Sequence, residues 1–407
     1  QPHLRDRVTA HAPETTDIAI VGGGLVGSSL ACALEAAGYR IVLIEAAAVP
    51  AATQGFDQRK LALARYSLEA LQQLGVLGLL TATPAPIERI HISRVGDFGQ
   101  VLLKARNFGH EAFGAVVLAQ ELGRALSDRV DALENTSRVS PASVCAMDAG
   151  AEGATLQLKC VDGDRTLRAR WVIAADGTHS FVRQACGIGV LEHDYRQTLF
   201  VCSAKAEKAS DGTAYERFSS QGPVAMLPMA DGRYGSVCGV ASHEAAHISG
   251  FSDAQYADYL QSRFGWRIGK ILQVGARSHY PIKRVLADRL TAPSVFILGN
   301  AAQTIHPIGA QGFNLGLRDA LSLARILADR DNSEDPALRY SASRAEDRSR
   351  TLAFSDGLAR LTANDGLPLH VLRSLGLSLL GSAPALASDL VNRAMGYHGN
   401  SVFEEAL

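Results

Sequence analysis

With 407 residues, 47% of them hydrophobic and 20% charged, the chain can bury a sizeable core. A net charge of -1 and the lack of Lys/Arg clusters give no basis for nucleic-acid binding. Six scattered cysteines without a CxxC pair, and His spacing that completes no zinc pattern, predict free thiols and no metal site. No signal-peptide pattern or apolar run long enough to span a bilayer is visible, which predicts a cytoplasmic protein.

Asp17 to Val21 reads as a short buried strand, followed at once by Gly22-Gly23-Gly24-Leu25-Val26-Gly27. A small-residue helix over 28–37, closed by Gly38, leads to a second strand, Ile41–Ile44, ending at Glu45. A GxGxxG alone is weak. With strand, helix, strand and terminal acid in register, it predicts dinucleotide binding. In that motif Gly22 makes the tight turn, Gly24 admits a pyrophosphate and Gly27 brings helix and strand together. Glu45 would accept bonds from the adenosine ribose hydroxyls and repel a 2′-phosphate, which disfavours NADP at this site.

Gly55-Phe56-Asp57-Gln58-Arg59 precedes a predicted helix over 61–74, stopped by Gly75. Arg59 reads equally as a solvated helix-start residue or a ligand contact. Residues 87–117 alternate like sheet, 120–130 return to helix, and Asp162-Gly163 predicts a hairpin turn. Trp171 to Ala175 is a third buried strand ending in Asp176-Gly177-Thr178-His179-Ser180. An acid there lies where open α/β sheets bind ligands, although an N-cap or turn role is the competing reading. Residues 199–245 are strand-rich with a turn at Asp231-Gly232, Ser252 caps a helix over 253–264, and 277–286 are extended.

Val295 to Leu298 is a fourth buried strand. The glycine-rich stretch from Gly299 to Gly316 follows it and runs into a helix that begins near Gly312-Phe313-Asn314. Such a loop and helix start suit negative charge. The remainder reads as helical. The pattern predicts an α/β fold: a Rossmann-like FAD-binding domain of the glutathione reductase type, made from residues 16–86, 117–190 and 286–340. A sheet-rich substrate domain, 87–116 and 191–285, is inserted, and a helical region covers 341–407. One fingerprint served by two further ligand loops implies one extended, resident dinucleotide, FAD rather than exchanging NAD.

These loops, in this order, resemble the single-component FAD-dependent aromatic hydroxylases of the para-hydroxybenzoate hydroxylase type. Glu216-Arg217-Phe218 with Gly222 to Met229, Phe264-Gly265-Trp266-Arg267 and Gly299-Asn300-Ala301-Ala302-Gln303-Thr304 narrow this to the ubiquinone-biosynthesis hydroxylases, the 2-octaprenyl-6-methoxyphenol hydroxylases among them. The resemblance implies that NAD(P)H reduces FAD, that O2 forms a C4a-hydroperoxyflavin, and that a polyprenyl phenol is hydroxylated on its ring. A small soluble aromatic substrate, or a non-catalytic FAD-binding scaffold in a biosynthetic complex, are the alternatives.

Residue by residue, it implies pyrophosphate contacts at Gly22, Gly24 and Gly27, and flavin contacts at Arg59 and at Arg124, with Gln120 as the other candidate on that helix. It places Asp176 against FAD and the nicotinamide, Gly299 and Asn300 on the ribityl chain, and Gly312, Phe313 and Asn314 at the N1 side of the ring. Pro307 would lie at the reacting flavin edge. His306 beside it is the candidate catalytic histidine, with loop structuring as the competing role. The wider family usually has Gly-Asp and a following His where this chain has Asn300 and Gln303; an Asn still offers a donor and an acceptor. Met226 to Met229 would line a tail channel or pack as core. The apolar stretch 367–380 would pack on the flavin domain or contact a partner or the inner face of the membrane. A ubiquinone-biosynthesis protein complex is a further implied partner.

Overall fold

The computed structural model describes residues 14–47, 59–96, 99–307, 311–363 and 395. Gly55 to Gln58 and the stretch 367–380 lie outside them.

The first strand, Glu14–Val21, is central. Ile18, Ala19 and Ile20 are fully buried, as expected for a strand covered on both faces of a parallel sheet. It pairs in parallel with Ile41–Ile44 on one side and Arg165–Ala174 on the other, in the registers Ile18↔Ile41 and Ile18↔Trp171. Thr136–Val139 extends the sheet beyond Ile41–Ile44, and Val295–Ile297 beyond Arg165–Ala174. The chain therefore builds outward on one side of the first strand and then on the other. Order reverses between Glu14–Val21 and Arg165–Ala174, which is the point where open α/β sheets hold ligands.

Arg165–Ala174 is one strand, not two runs separated at Arg170. Its first half pairs antiparallel with Gly153–Cys160 across the predicted Asp162-Gly163 turn, and its end pairs with Val295–Ile297. The predicted helix over 61–74 is also corrected. Lys60–Ala64 is a strand, paired antiparallel with Gly114–Leu118, and the helix covers only Arg65–Gln73. Leu61, Leu68 and Leu71 fall on one helical face and mimic a continuous apolar stripe. The ladder with Gly114–Leu118 decides the first part.

A second sheet runs, by neighbours, from Gln303–Thr304 through Ser278–Ala287, Val190–Ala206, Tyr234–Ala241, Val224–Pro228, Thr213–Phe218 and Arg89–Arg94 to Gln100–Lys104. Phe200, Met226 and Tyr234 on one face pack against Tyr256, Leu260 and Phe264 of the helix Asp253–Phe264. Ser252 caps that helix in a reciprocal capping box with Gln255. Met226 thus belongs to the helix-side core. Ala214 and Leu227, on the opposite face, pack with Ala85, Phe113 and Val116. Gln303–Thr304 comes from the loop after the last parallel strand, so that loop runs directly onto the second sheet.

The long helices Gln311–Ala328 and Pro336–Ala363 follow as predicted. Leu317, Ala320 and Leu323 of the first, with Tyr340 of the second, join the core of the parallel sheet.

Candidate functional site: a dinucleotide crevice at the strand reversal

The strand ends are level: Ala175 N–H donates to Val21 O (2.8 Å) and Leu298 N–H to Ala174 O (3.0 Å). Three loops therefore emerge side by side. At Gly22 φ is +105°, and a Cβ would lie 2.3 Å from Ala175 O. A Cβ on Gly27 would lie 2.0 Å from Gly22 O. Both positions require glycine, for the turn and for the close helix approach. A Cβ on Gly24 would meet nothing within 4 Å. Gly23, Gly24, Leu25 and Ser28 line a groove of about 290 Å³, closed by Arg59, Ala119, Gly123 and Leu126.

Glu45, at the end of Ile41–Ile44, turns toward this loop. Its Oε2 accepts from Gly23 N–H (2.7 Å) and its Oε1 from Ala47 N–H (2.9 Å). The carboxylate thus braces the glycine loop, a role the ribose argument did not include.

Asp176 leaves the strand Arg165–Ala174 beside Gly22. Its Oδ2 accepts from Val182 N–H (3.2 Å), so the turn role is real. Its Oδ1 is buried with no hydrogen-bond partner among the described residues. Gly177 (φ +83°) completes the turn, and Ser180 Oγ caps the following helix by accepting from Arg183 N–H. Thr178 Oγ1 and Thr304 Oγ1 are 2.7 Å apart, and Arg183 Nη1 donates to Ala301 O (2.9 Å). These bonds lock the Asp176 loop to the Gly299 loop.

Gly299 has φ +58°, and a Cβ there would lie 3.2 Å from Val26. One on Gly316 would lie 2.8 Å from Val26 Cγ2 and 3.3 Å from Gly299 Cα. The two glycines let the loop, the helix Gln311–Ala328 and the fingerprint helix meet. Asn300 is exposed, and its carbonyl accepts from Thr304 Oγ1 at 3.5 Å.

Beneath the loop lies a buried charge network that the sequence reading did not assign. Asp319 Oδ2 accepts from Gly299 N–H (3.2 Å) and Gln303 Nε2 (2.6 Å), and Oδ1 accepts from Arg344 Nε (2.7 Å). Arg344 also pairs with Asp347, which receives Arg318 in a two-pronged contact at 2.8 and 3.1 Å. Burial alone would raise the Asp347 carboxyl, but Arg318 and Arg344 hold it far below the usual range. The only local signal was an acid four residues into the apolar run. Gln303, where the family usually has histidine, is thus a buried link between loop and helix.

Four candidate residues have other surroundings within the protein. Arg124 donates to Leu79 O (2.6 Å) and pairs with Asp128 and Glu121, so it is not among the groove residues; its helix reaches the groove through Ala119, Gly123 and Leu126. Gln120 does not line the groove either. The Asn314 side chain is buried and engaged elsewhere: Oδ1 accepts from Ala64 N–H (3.0 Å) and Ser67 Oγ (2.7 Å), and Nδ2 donates to Ala62 O (3.1 Å). It fastens the helix to the strand Lys60–Ala64. His306 is 1% exposed and edge-on to Tyr195, with centroids 4.7 Å apart; burial pushes its pKa down to about 4. A neutral histidine packed in this way is a poor general base. Pro307 follows it, half-buried; Gly312 is open, and Phe313 packs on the core.

The arrangement fits a bound dinucleotide: Gly24 is open toward the groove, and the buried Asp176 Oδ1 needs a donor. Fold and site define a flavoprotein with a Rossmann-type cofactor crevice and an attached, mostly antiparallel sheet. Residues 15–355 match the FAD binding domain family, and the chain belongs to it. It is 33% identical over 404 residues to ubiquinone hydroxylase UbiL of Rhodospirillum rubrum, covering 97% of this chain and 93% of that one. It is 30% identical over 392 residues to 3-demethoxyubiquinol 3-hydroxylase of Escherichia coli, covering 94% and 99%. The crystal structure of p-nitrophenol 4-monooxygenase PnpA from Pseudomonas putida shares the fold, with a TM-score of 0.79, 18% identity, and coverage of 96% of this chain and 100% of that one. The protein is an FAD-dependent monooxygenase that hydroxylates an aromatic ring.

Proposed function

We propose that the substrate is a polyprenyl phenol of ubiquinone biosynthesis, with NAD(P)H and O2 as co-substrates. The observation that carries this is nearly full-length similarity to relatives named ubiquinone hydroxylase and 3-demethoxyubiquinol 3-hydroxylase. Bound FAD supplies the oxygen activation. The chain's own residues hold, orient and shield it. In this reading Gly22, Gly24 and Gly27 receive the pyrophosphate, and Glu45 keeps the loop in register while facing the ribose. Arg59 closes the groove. Asp176 offers Oδ1 to the cofactor and the visiting nicotinamide. Gly299 and Asn300 present backbone and amide groups to the ribityl chain, and the helix start at Gly312-Phe313 stabilises negative charge on the ring. Pro307 borders the reacting edge, while His306 holds the loop against Tyr195 and keeps water out.

The same reading assigns 16–86, 117–190 and 286–340 to cofactor binding and 87–116 with 191–285 to substrate. It includes peripheral contact with the membrane and assembly with other enzymes of the pathway. Among the described residues no helix is long and apolar enough to cross a membrane.

The test is NAD(P)H consumption by the flavin-loaded protein with prenylated phenols and with hydroxybenzoates, followed by mass spectrometry of products. Ring hydroxylation of the prenylated phenol is the expected result. Turnover confined to hydroxybenzoates would sink the substrate assignment.

A further inference from the structure

The helix Asp253–Phe264 ends at Gly265, where φ is +87°. Phe264 is fully buried, yet the next side chain, Trp266, is 68% exposed. The turn that carries it is not loose. Lys208 N–H donates to Ile268 O (3.1 Å), Glu207 N–H to Lys270 O (2.9 Å), and Lys208 Nζ to Arg267 O (3.4 Å). Arg267 Nη2 reaches Gln100 Oε1 (3.4 Å) on the edge strand Gln100–Lys104. That strand alternates strictly: Val101 and Leu103 are buried, while Gln100, Leu102 and Lys104 are exposed, Leu102 by 43%.

Trp266 therefore stands exposed on an anchored turn with Arg267 and Lys270, beside Lys208, and Arg267 links this turn to the edge strand that exposes Leu102 and Lys104. The acids nearby are engaged: Glu207 Oε2 accepts from Lys270 N–H (2.8 Å), and Asp211 is ion-paired with Arg89 (2.8 Å). Arg217, whose guanidinium lies against Gly265, adds further positive charge. Burial and the repulsion of Arg267 both lower its pKa. The whole chain carries a net charge of -1, so this concentration of cations is local. All of this lies on the helix-bearing side of the second sheet, where Tyr215 packs edge-on to Phe264.

An indole held largely in water on an anchored turn suits a membrane–water boundary, where an apolar body and a polar N–H are both accommodated. Lys and Arg around it complement lipid phosphates, each strengthening attachment to an anionic surface. We propose that this face, centred on Trp266, docks on an anionic lipid membrane, with Trp266 and Leu102 in the interface and the surrounding cations on the headgroups. The inference rests on the reading of the substrate as a membrane-borne prenyl phenol only for its choice of a lipid partner.

The test uses the full-length, flavin-loaded protein and flotation with vesicles of phosphatidylcholine alone or mixed with phosphatidylglycerol. Binding is expected to the mixed vesicles only, and to weaken as salt is raised. Each cation reversed should cost at least about fivefold in vesicle affinity, so R267E with K270E should lower it by more than about twentyfold. Trp266→Ser should weaken binding without removing the salt dependence. The chain has two tryptophans, so a Trp171→Phe background isolates the signal, and Trp266 emission should shift to the blue on vesicles. Flavin content reports that each variant is folded. Undiminished binding by the charge-reversed variant, binding to neutral vesicles alone, or an unshifted Trp266 would overturn the proposal. Turnover of a short-chain, water-soluble phenol is measured in parallel. Its absence, with vesicle binding as expected, counts against the substrate reading while the docking face stands.

Discussion

The backbone N–H of Gly299 donates to the buried carboxylate of Asp319, 20 residues further on, across 3.2 Å. Because Asp319 also holds Gln303 and Arg344, the loop that faces the cofactor is anchored from the helix behind it. Asp319→Ala would leave Arg344 and Gln303 buried without this partner. We expect a loss of about 3–5 kcal/mol of stability, read by urea unfolding, and loss of bound flavin. Asp319→Asn should fall between this variant and the parent.

Two glycines separate packing from ligand binding. A Cβ at Gly316 would lie 2.8 Å from Val26, whereas one at Gly24 would meet no atom of the described residues within 4 Å. Gly316→Ala should therefore lower the stability of the flavin-free protein by about 1–3 kcal/mol through overpacking. Gly24→Ala should leave that stability unchanged and weaken FAD binding instead. Thermal unfolding without flavin and titration with FAD distinguish the two. A Gly24→Ala protein with parental FAD affinity would contradict the placement of the groove.

Asp176 has one oxygen accepting from Val182 N–H and one buried without a partner among the described residues. Asp176→Asn keeps an acceptor and removes the charge. The flavin-free protein should be as stable as the parent or slightly more so. Affinity for FAD, or the KM for NAD(P)H, should worsen by about tenfold or more, the scale of a lost charged hydrogen bond. Unchanged binding of both nucleotides would show that Asp176 serves only the turn.

Two groups shifted by burial, one partly and one fully enclosed, give stability opposite pH dependences. Burial raises the half-buried Glu216 carboxyl to about 7. The folded state therefore binds this proton more tightly than the unfolded chain, and stability falls as pH rises from about 4.5 to about 7. Glu216→Gln should gain up to about 2–3 kcal/mol over the parent above that range and little below it. For His306, whose pKa is lowered to about 4, the sign is reversed. Its contribution is complete above about 6.5 and is lost as pH falls toward 4, by about 2–3 kcal/mol in all. Chemical unfolding of E216Q, and of a His306→Gln variant, across pH 4 to 8 tests both signs.

What the sequence determined by itself was local and periodic. The fingerprint Gly22–Gly27, the turns at Asp162-Gly163 and Asp231-Gly232, the capped helix after Ser252 and the buried strand before Gly299 each carry their geometry within a few residues. Hard-sphere limits on φ and the spacing of apolar side chains act at that range. The order in which glycine and acid endings recur along the chain pointed to FAD, which the family match supports. The tertiary structure decided what the long side chains do. Leu61 fits a helix stripe with Leu68 and Leu71 until Gly114–Leu118 pairs with its segment. Asn314 reaches a strand 250 residues away, and Arg124 turns to Leu79, Asp128 and Glu121 instead of the groove. Sequence left His306 between a catalytic and a loop-structuring role, and Tyr195 with near-complete burial favours the second. Such choices depend on desolvation and on partners far away in the chain, neither of which leaves a local trace in residue spacing.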